Sequence, residues 1–122
     1  MDVFCKIISG EIPSYTIYED EIVKVFLDAN PTSAGHCLVV PKQHYTDIYD
    51  IDNDTLIYIF NIAKDISKFI MDRLGCEGIS FCQNNGIAQE VKHFHLHIIP
   101  KYDKNKKMNT EEVYYELTKE TE

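Results

Sequence analysis

The stretch Lys92-His93-Phe94-His95-Leu96-His97-Ile98-Ile99-Pro100 places three of the chain's five histidines at alternate positions, with large apolar residues between them. Alternation is the period of a β-strand, in which successive side chains point to opposite faces. His93, His95 and His97 therefore share one face, and Phe94, Leu96 and Ile98 the other. The imidazoles could simply be the polar side of a half-buried strand, although three in register with no Lys, Thr or Glu between them is unusual there. Two histidines at i and i+2 could ligate one metal ion. The strand rise sets the first and third about 13 Å apart at the backbone, too far for all three to share it. Imidazole could also act by itself, as nucleophile, general base or general acid near neutral pH.

The elements that must position this face are short. Phe4 to Ser9 reads as a brief helix or turn, ended by Gly10 and Pro13. Tyr15 to Tyr18 and Ile22 to Leu27 are β-prone runs that Glu19-Asp20-Glu21 would join as a hairpin, with Phe26 and Asp28 on one face and Val25 and Leu27 on the other. Asp28 to Gly35 has the residues of a loop, and His36 to Val40 reads as a third strand stopped by Pro41. From Asp52 to Leu74 the period becomes helical. Leu56, Ile59, Phe60, Ala63, Ile66 and Ile70 form the stripe, Asp52 can cap its start, and Gly75 can supply a left-handed residue at its end. Ile79 to Asn84 reads as a fourth strand, Asn85 to Gln89 as a loop, and the histidine stretch as the fifth strand. The pattern is a meander of strands interrupted by one long helix. From Met108 the chain is acidic, with Val113, Tyr114 and Leu117 at helical spacing, and reads as a peripheral or partner-contacting helix.

With 122 residues the chain is expected to form one domain, 1–122, with 108–122 a C-terminal helical tail. Cys5, Cys37, Cys76 and Cys82 lie far apart in sequence, and no apolar run reaches signal or membrane-span length, so a reduced, cytoplasmic protein without membrane attachment is expected. A formal charge of −8 argues against nucleic-acid binding. A small phosphate-bearing ligand stays open, because local donors can hold it against an acidic field.

The segment His93-Phe94-His95-Leu96-His97-Ile98-Ile99 resembles the signature of the histidine triad (HIT) family, three histidines separated by apolar residues. The resemblance extends to Val3-Phe4-Cys5-Lys6-Ile7-Ile8, Glu11-Ile12-Pro13, Gly35 to Lys42 and Gln83-Asn84-Asn85-Gly86, and points to the nucleoside phosphoramidase (Hint-like) branch. It implies an α+β, HIT-like fold: a five-stranded antiparallel sheet with one long helix and a short N-terminal helix, assembled as a homodimer. It also implies hydrolysis or transfer of nucleoside monophosphates, with a purine nucleotide as substrate. By the same resemblance His95 is the nucleophile, His97 and His36 orient it or donate to phosphate, and His93 is a buttress. Asp28 would bind the ribose hydroxyls, Asn84 and Gln89 the phosphate, and Phe4, Ile7, Phe26 and Leu38 the nucleobase. No cofactor is required for such catalysis. The alternatives are a dinucleoside polyphosphate hydrolase and a nucleotide- or partner-binding module without turnover.

The chain departs from the family pattern in two places. Only Ile87 and Ala88 separate Gly86 from Gln89, two residues fewer than is usual, in a loop that normally presents backbone N–H groups to phosphate. Glu90 stands where many members have Ser or Thr. Some members hold a structural zinc through a Cys-x-x-Cys pair and two histidines. Here Asp2 replaces the first Cys, so Asp2, Cys5, His44 and His93 could form a mixed site. Tyr102, Tyr114 and Tyr115 of the tail are candidates to reach a partner's site, with Lys101, Lys104, Lys106 and Lys107 as a local basic counterweight.

Overall fold

A computed structural model describes residues 2–120; Met1 and the last two positions of the expected tail lie outside the described residues. Asp2 accepts the Cys5 N–H at 2.8 Å and so starts helix α1, Val3–Ile8. Strands β1, Thr16–Glu19, and β2, Val23–Leu27, form the expected hairpin, tightened where the Asp20 carboxylate accepts the N–H groups of Ile22 and Val23. Then come β3, Cys37–Pro41, helix α2, Asn53–Leu74, strand β4, Gly78–Cys82, a 3-10 turn at Gly86–Ala88, β5, Leu96–Lys101, and helix α3, Thr110–Thr118.

The five strands form one antiparallel sheet in the order β1-β2-β3-β5-β4. It is therefore not a simple meander. Helix α2, capped by Asp52 and ended by Gly75 at φ 72°, carries the chain from β3 to the far edge, and β5 returns between β3 and β4. The last strand in sequence is thereby buried within the sheet. Two other expectations are corrected. The third strand runs from Cys37 through Pro41, which faces Val23 in register, so Pro41 ends the strand from within. The fifth strand begins only at Leu96, because the Phe94 N–H is taken by the Tyr45 carbonyl and the ladder with β3 starts at Val39 and Leu96. His93 and His95 lie just upstream of it.

The alternation survives that shortening. Phe94, Leu96 and Ile98 enter the main core with Val23, Val25, Val39 and the buried stripe of α2. On the opposite face of the sheet Phe4 and Ile7 of α1 pack with Phe26, Leu38 and Val40. Phe60 does not belong to the core stripe. It is 43% exposed and packs edge-on against Phe81, since it follows Ile59 by one residue and is rotated about 100° from it; Ser67 and Leu74 are buried instead. Helix α3 is not peripheral. Val113 and Leu117 are buried in the main core, and Arg73 of α2 donates to the carbonyls of Glu116 and Lys119.

Candidate active site

His36 and His97 meet where β3 and β5 run side by side. Gly35, at φ +94°, turns the chain into β3, and a Cβ there would lie 2.7 Å from Leu74 Cδ1, so both backbone and space call for glycine. The Thr32 N–H donates to His36 Nδ1 at 2.9 Å. That nitrogen must then be unprotonated, so a neutral His36 carries its proton on Nε2, which stands 2.9 Å from His97 Nδ1. His97 Nδ1 is the acceptor, and its own proton sits on Nε2, directed away from His36. Asp28 Oδ2 lies 3.5 Å from His36 Nε2 and 3.9 Å from His97 Nδ1.

His95 is fixed in the opposite sense. Its Nδ1 lies 2.7 Å from the carbonyl oxygen of His93, which can only accept, so Nδ1 carries the proton and Nε2 keeps a free lone pair. Its ring packs against His97 at 4.9 Å between centroids and against Phe4 at 4.9 Å. The site thus holds a free imidazole lone pair beside an imidazole N–H.

Burial lowers all three imidazoles. It pushes His97 down to about 4, helped by His95 and His36 beside it. Burial also lowers His36, against the opposing pull of Asp28, and lowers His95, against its hydrogen bond to the His93 carbonyl. Each ring is therefore neutral at neutral pH.

The histidines open onto a cavity of about 670 Å³. Phe4, Ile7, Phe26 and Leu38 line its apolar side, and Asp28, Asn84 and Glu90 supply polar groups. Phe4 and Phe26 meet edge-on at 5.7 Å. Helix α1 is held over this slot by the buried Lys24, whose ammonium donates to the Ile7 carbonyl at 3.0 Å. Gln89 is placed differently. It is buried, its Nε2 donates to the Thr46 carbonyl at 2.6 Å, and its Oε1 has no partner; it does not line the cavity. Of the tail tyrosines, Tyr102 donates to the Ala34 carbonyl, Tyr114 packs on Tyr15, and Tyr115 is exposed. Of the basic residues beside them, Lys106 donates to the Leu74 carbonyl at the end of α2.

The backbone of Thr32 and the side chain of Lys24 were missed from the sequence. Lys24 interrupts an apolar strand, which is a readable oddity; an amide N–H carries no residue-specific signal.

Asp2, Cys5, His44 and His93 converge on the other side of α1, with one donor atom from each within 4.8 Å of the others. Asp2 Oδ2 lies 3.1 Å from His44 Nδ1 and 3.2 Å from His93 Nδ1, and Cys5 Sγ lies 3.8 Å and 3.6 Å from the same nitrogens. Tetrahedral zinc with bonds of roughly 2.0–2.3 Å would set such donors about 3.2–3.8 Å apart. His93 is oriented for it, because its Nε2 donates to the Pro41 carbonyl at 2.9 Å and leaves Nδ1 unprotonated. The residues fit a structural zinc.

Sheet order, histidine geometry and cavity together agree with the HIT domain, whose profile matches residues 9–104. An uncharacterised HIT-like protein of Methanocaldococcus jannaschii is 47% identical over 107 residues, which cover 84% of this chain and 81% of that protein. The adenosine 5'-monophosphoramidase of Saccharomyces cerevisiae is 43% identical over 103 residues, covering 83% of this chain and 63% of the yeast protein. A zinc-bound histidine triad family protein from Mycobacterium smegmatis superimposes with a TM-score of 0.88 at 33% identity, covering 94% of this chain and 88% of the other. The chain belongs to the HIT family.

Proposed function

We propose that the protein releases nucleoside 5'-monophosphate from purine nucleoside phosphoramidates through a nucleotidyl-histidine intermediate on His95. The observation that carries this reading is the fixed, neutral His95 ring with its Nε2 lone pair free beside His97. The yeast relative named an adenosine 5'-monophosphoramidase supports the same reaction class.

In this reading the apolar slot of Phe4, Ile7, Phe26 and Leu38 takes the base, and Asp28 accepts hydrogen bonds from the ribose hydroxyls. His95 Nε2 attacks the α-phosphorus, forming a nitrogen–phosphorus bond as the bond to the leaving nitrogen breaks. The phosphate anion favours the protonated form of His97; the His36 Nε2–H and the new His97 Nδ1–H then both turn to Asp28 Oδ2, and His97 gives its Nε2 proton to the departing amine. Water then attacks the nucleotidyl-histidine. Its hydroxyl goes to phosphorus, its proton returns to His97, and neutral His95 is regenerated. Asn84 and backbone N–H groups of the 86–89 loop would hold the phosphoryl oxygens. Gln89 would serve the phosphate through this loop, which its bond to Thr46 pins. His93 acts through its carbonyl and not as a reacting group.

The same reading includes a zinc at Asp2, Cys5, His44 and His93, cytoplasmic location and a homodimer. No helix among the described residues is long and apolar enough to cross a membrane. The homodimer is supported by the free edge of β4, where Phe81 is 44% exposed beside Phe60 and Ile57 of α2. The test is to quench a reaction with an adenosine phosphoramidate and examine the protein by mass spectrometry. A nucleotidyl adduct on His95 is expected; turnover without an adduct there would overturn the assignment.

A further inference from the structure

The charge of the cavity wall distinguishes leaving groups. Its only formally charged residues, among those described, are Asp28 and Glu90; no Lys or Arg lines it. His36 and His97, which face it and meet each other, are held neutral by burial. A single phosphate can be bound there by neutral N–H donors, but nothing in the wall compensates further negative charge. Glu90 is the carboxylate of this wall that forms no ion pair with a histidine. It follows the 3-10 turn at Gly86–Ala88 and is exposed into the cavity beside Ala88 and Val91. It lines the same cavity as His95. Its carboxylate is exposed and has no hydrogen-bond or ion-pair partner among the described residues. Lys92, the nearest cation in sequence, donates to the Gly86 carbonyl and lies outside the cavity lining.

We infer that Glu90 makes this site selective for phosphoramidates whose leaving amine carries a second, cationic group a few bonds from the scissile nitrogen. The same charge disfavours leaving groups that bring more anion, such as further phosphates. This inference rests on the phosphoramidase reading and names its substrate class. Asp28 sits beside His36 and His97, whereas Glu90 lines the wall next to Ala88 and Val91, so the two carboxylates occupy different parts of the cavity and the preference is expected for the amine and not for the base. Two unit charges about 7 Å apart at a solvated protein surface change an equilibrium by several-fold. The attraction of a cation and the repulsion of an anion therefore multiply to a discrimination on the order of 30-fold.

The experiment uses three adenosine 5'-phosphoramidates of equal chain length, made from butylamine, 1,4-diaminobutane and 4-aminobutyrate. Values of kcat/KM are compared for the wild type and for Glu90→Gln, at low and high salt. The expected order is diamine, then butylamine, then aminobutyrate. The spread should be on the order of 30-fold at low salt, narrow at high salt, and collapse to about threefold or less in Glu90→Gln. Because the readout is a ratio within each protein, altered stability of the variant does not imitate it. A wild type indifferent to the charge, or a variant that keeps the spread, overturns the inference while leaving the phosphoramidase reading intact. Failure of the wild type to cleave any of the three overturns that reading. The relative affinities of the three intact compounds, by calorimetry, then still decide whether Glu90 selects charge.

Discussion

The carbonyl oxygen of His93 accepts the Nδ1 proton of His95 at 2.7 Å, while the His93 ring faces away into the cluster with Asp2, Cys5 and His44. One residue thus sets the tautomer of the next histidine through its backbone and anchors the N-terminal helix through its side chain. The free lone pair of His95 depends on where that carbonyl is held.

Replacing His95 with glycine should therefore remove the chemistry and leave the fold. The ring bonds only to a carbonyl and packs on Phe4 and His97, so a loss of about 1–2 kcal/mol of stability is expected. Turnover of an adenosine phosphoramidate should fall on the order of a thousandfold or more, with AMP still bound. Activity within tenfold of wild type, in a variant with normal circular dichroism, would contradict the nucleophile assignment.

Acid should weaken the protein before its carboxylates titrate. A histidine whose folded value is lowered binds fewer protons than in the unfolded chain. Its stabilising contribution is complete above the ordinary value of 6.5 and is lost as pH falls; for His97 the loss runs down to about 4. His36 and His95 act in the same direction. Asp20 is held at about 2, where hydrogen bonds from Tyr58 and the Val23 and Ile22 amides outweigh its burial. Asp52 is held at about 2 by Thr55 and Tyr45, and both carboxylates act only between 3.8 and 2. Urea unfolding at several pH values should show the first decline between 6.5 and 4, reduced in His97→Asn. The acid limb of kcat/KM should likewise lie below 6.5.

Asp2 has two duties that one substitution separates. Asparagine is as good a helix cap as aspartate, but it is a poorer metal ligand and carries no charge. Without metal, Asp2→Asn should match the wild type within about 0.5 kcal/mol, whereas Asp2→Ala should lose about 1 kcal/mol with the cap. With zinc at about a hundred times its dissociation constant, the wild type should gain about 2.7 kcal/mol and the asparagine variant much less. Elemental analysis of protein purified without added metal gives an independent reading, and zinc bound equally by both proteins would exclude Asp2 as a ligand.

Gly35→Ala should be costly for a residue that touches no substrate. Its φ of +94° disfavours any side chain, and the new methyl would meet Leu74 Cδ1 at 2.7 Å. A loss of about 2–4 kcal/mol is expected from thermal unfolding, with His36 displaced because the next residue is the one that moves.

Much of this was readable where the information is local. The alternation from His93 to Ile98 separated the histidines from the side chains of the main core even though the regular strand begins at Leu96. The Asp52 cap and Gly75 end of α2 followed from residue type. What escaped depends on partners distant in sequence. No period says that β5 will insert between β3 and β4, that Lys24 will be buried against Ile7, or that Gln89 will turn to Thr46 and away from the cavity. Phe60 failed because a stripe read at steps of three and four admits a neighbour one step too far round the helix.

The place of β5 in the sheet also says when the site comes into being. The hairpin of β1 and β2 extends to β3, and β4 pairs with β5, but the two groups meet in the sheet only along β3 and β5. The hydrogen bond between His36 and His97 crosses that seam and joins residues 61 apart in sequence, and the cluster at α1 joins Asp2 to a histidine 91 residues away. Such closures are slow because chain entropy is lost before the contact forms. The pair of imidazoles therefore exists only once the ladder between β3 and β5 has closed.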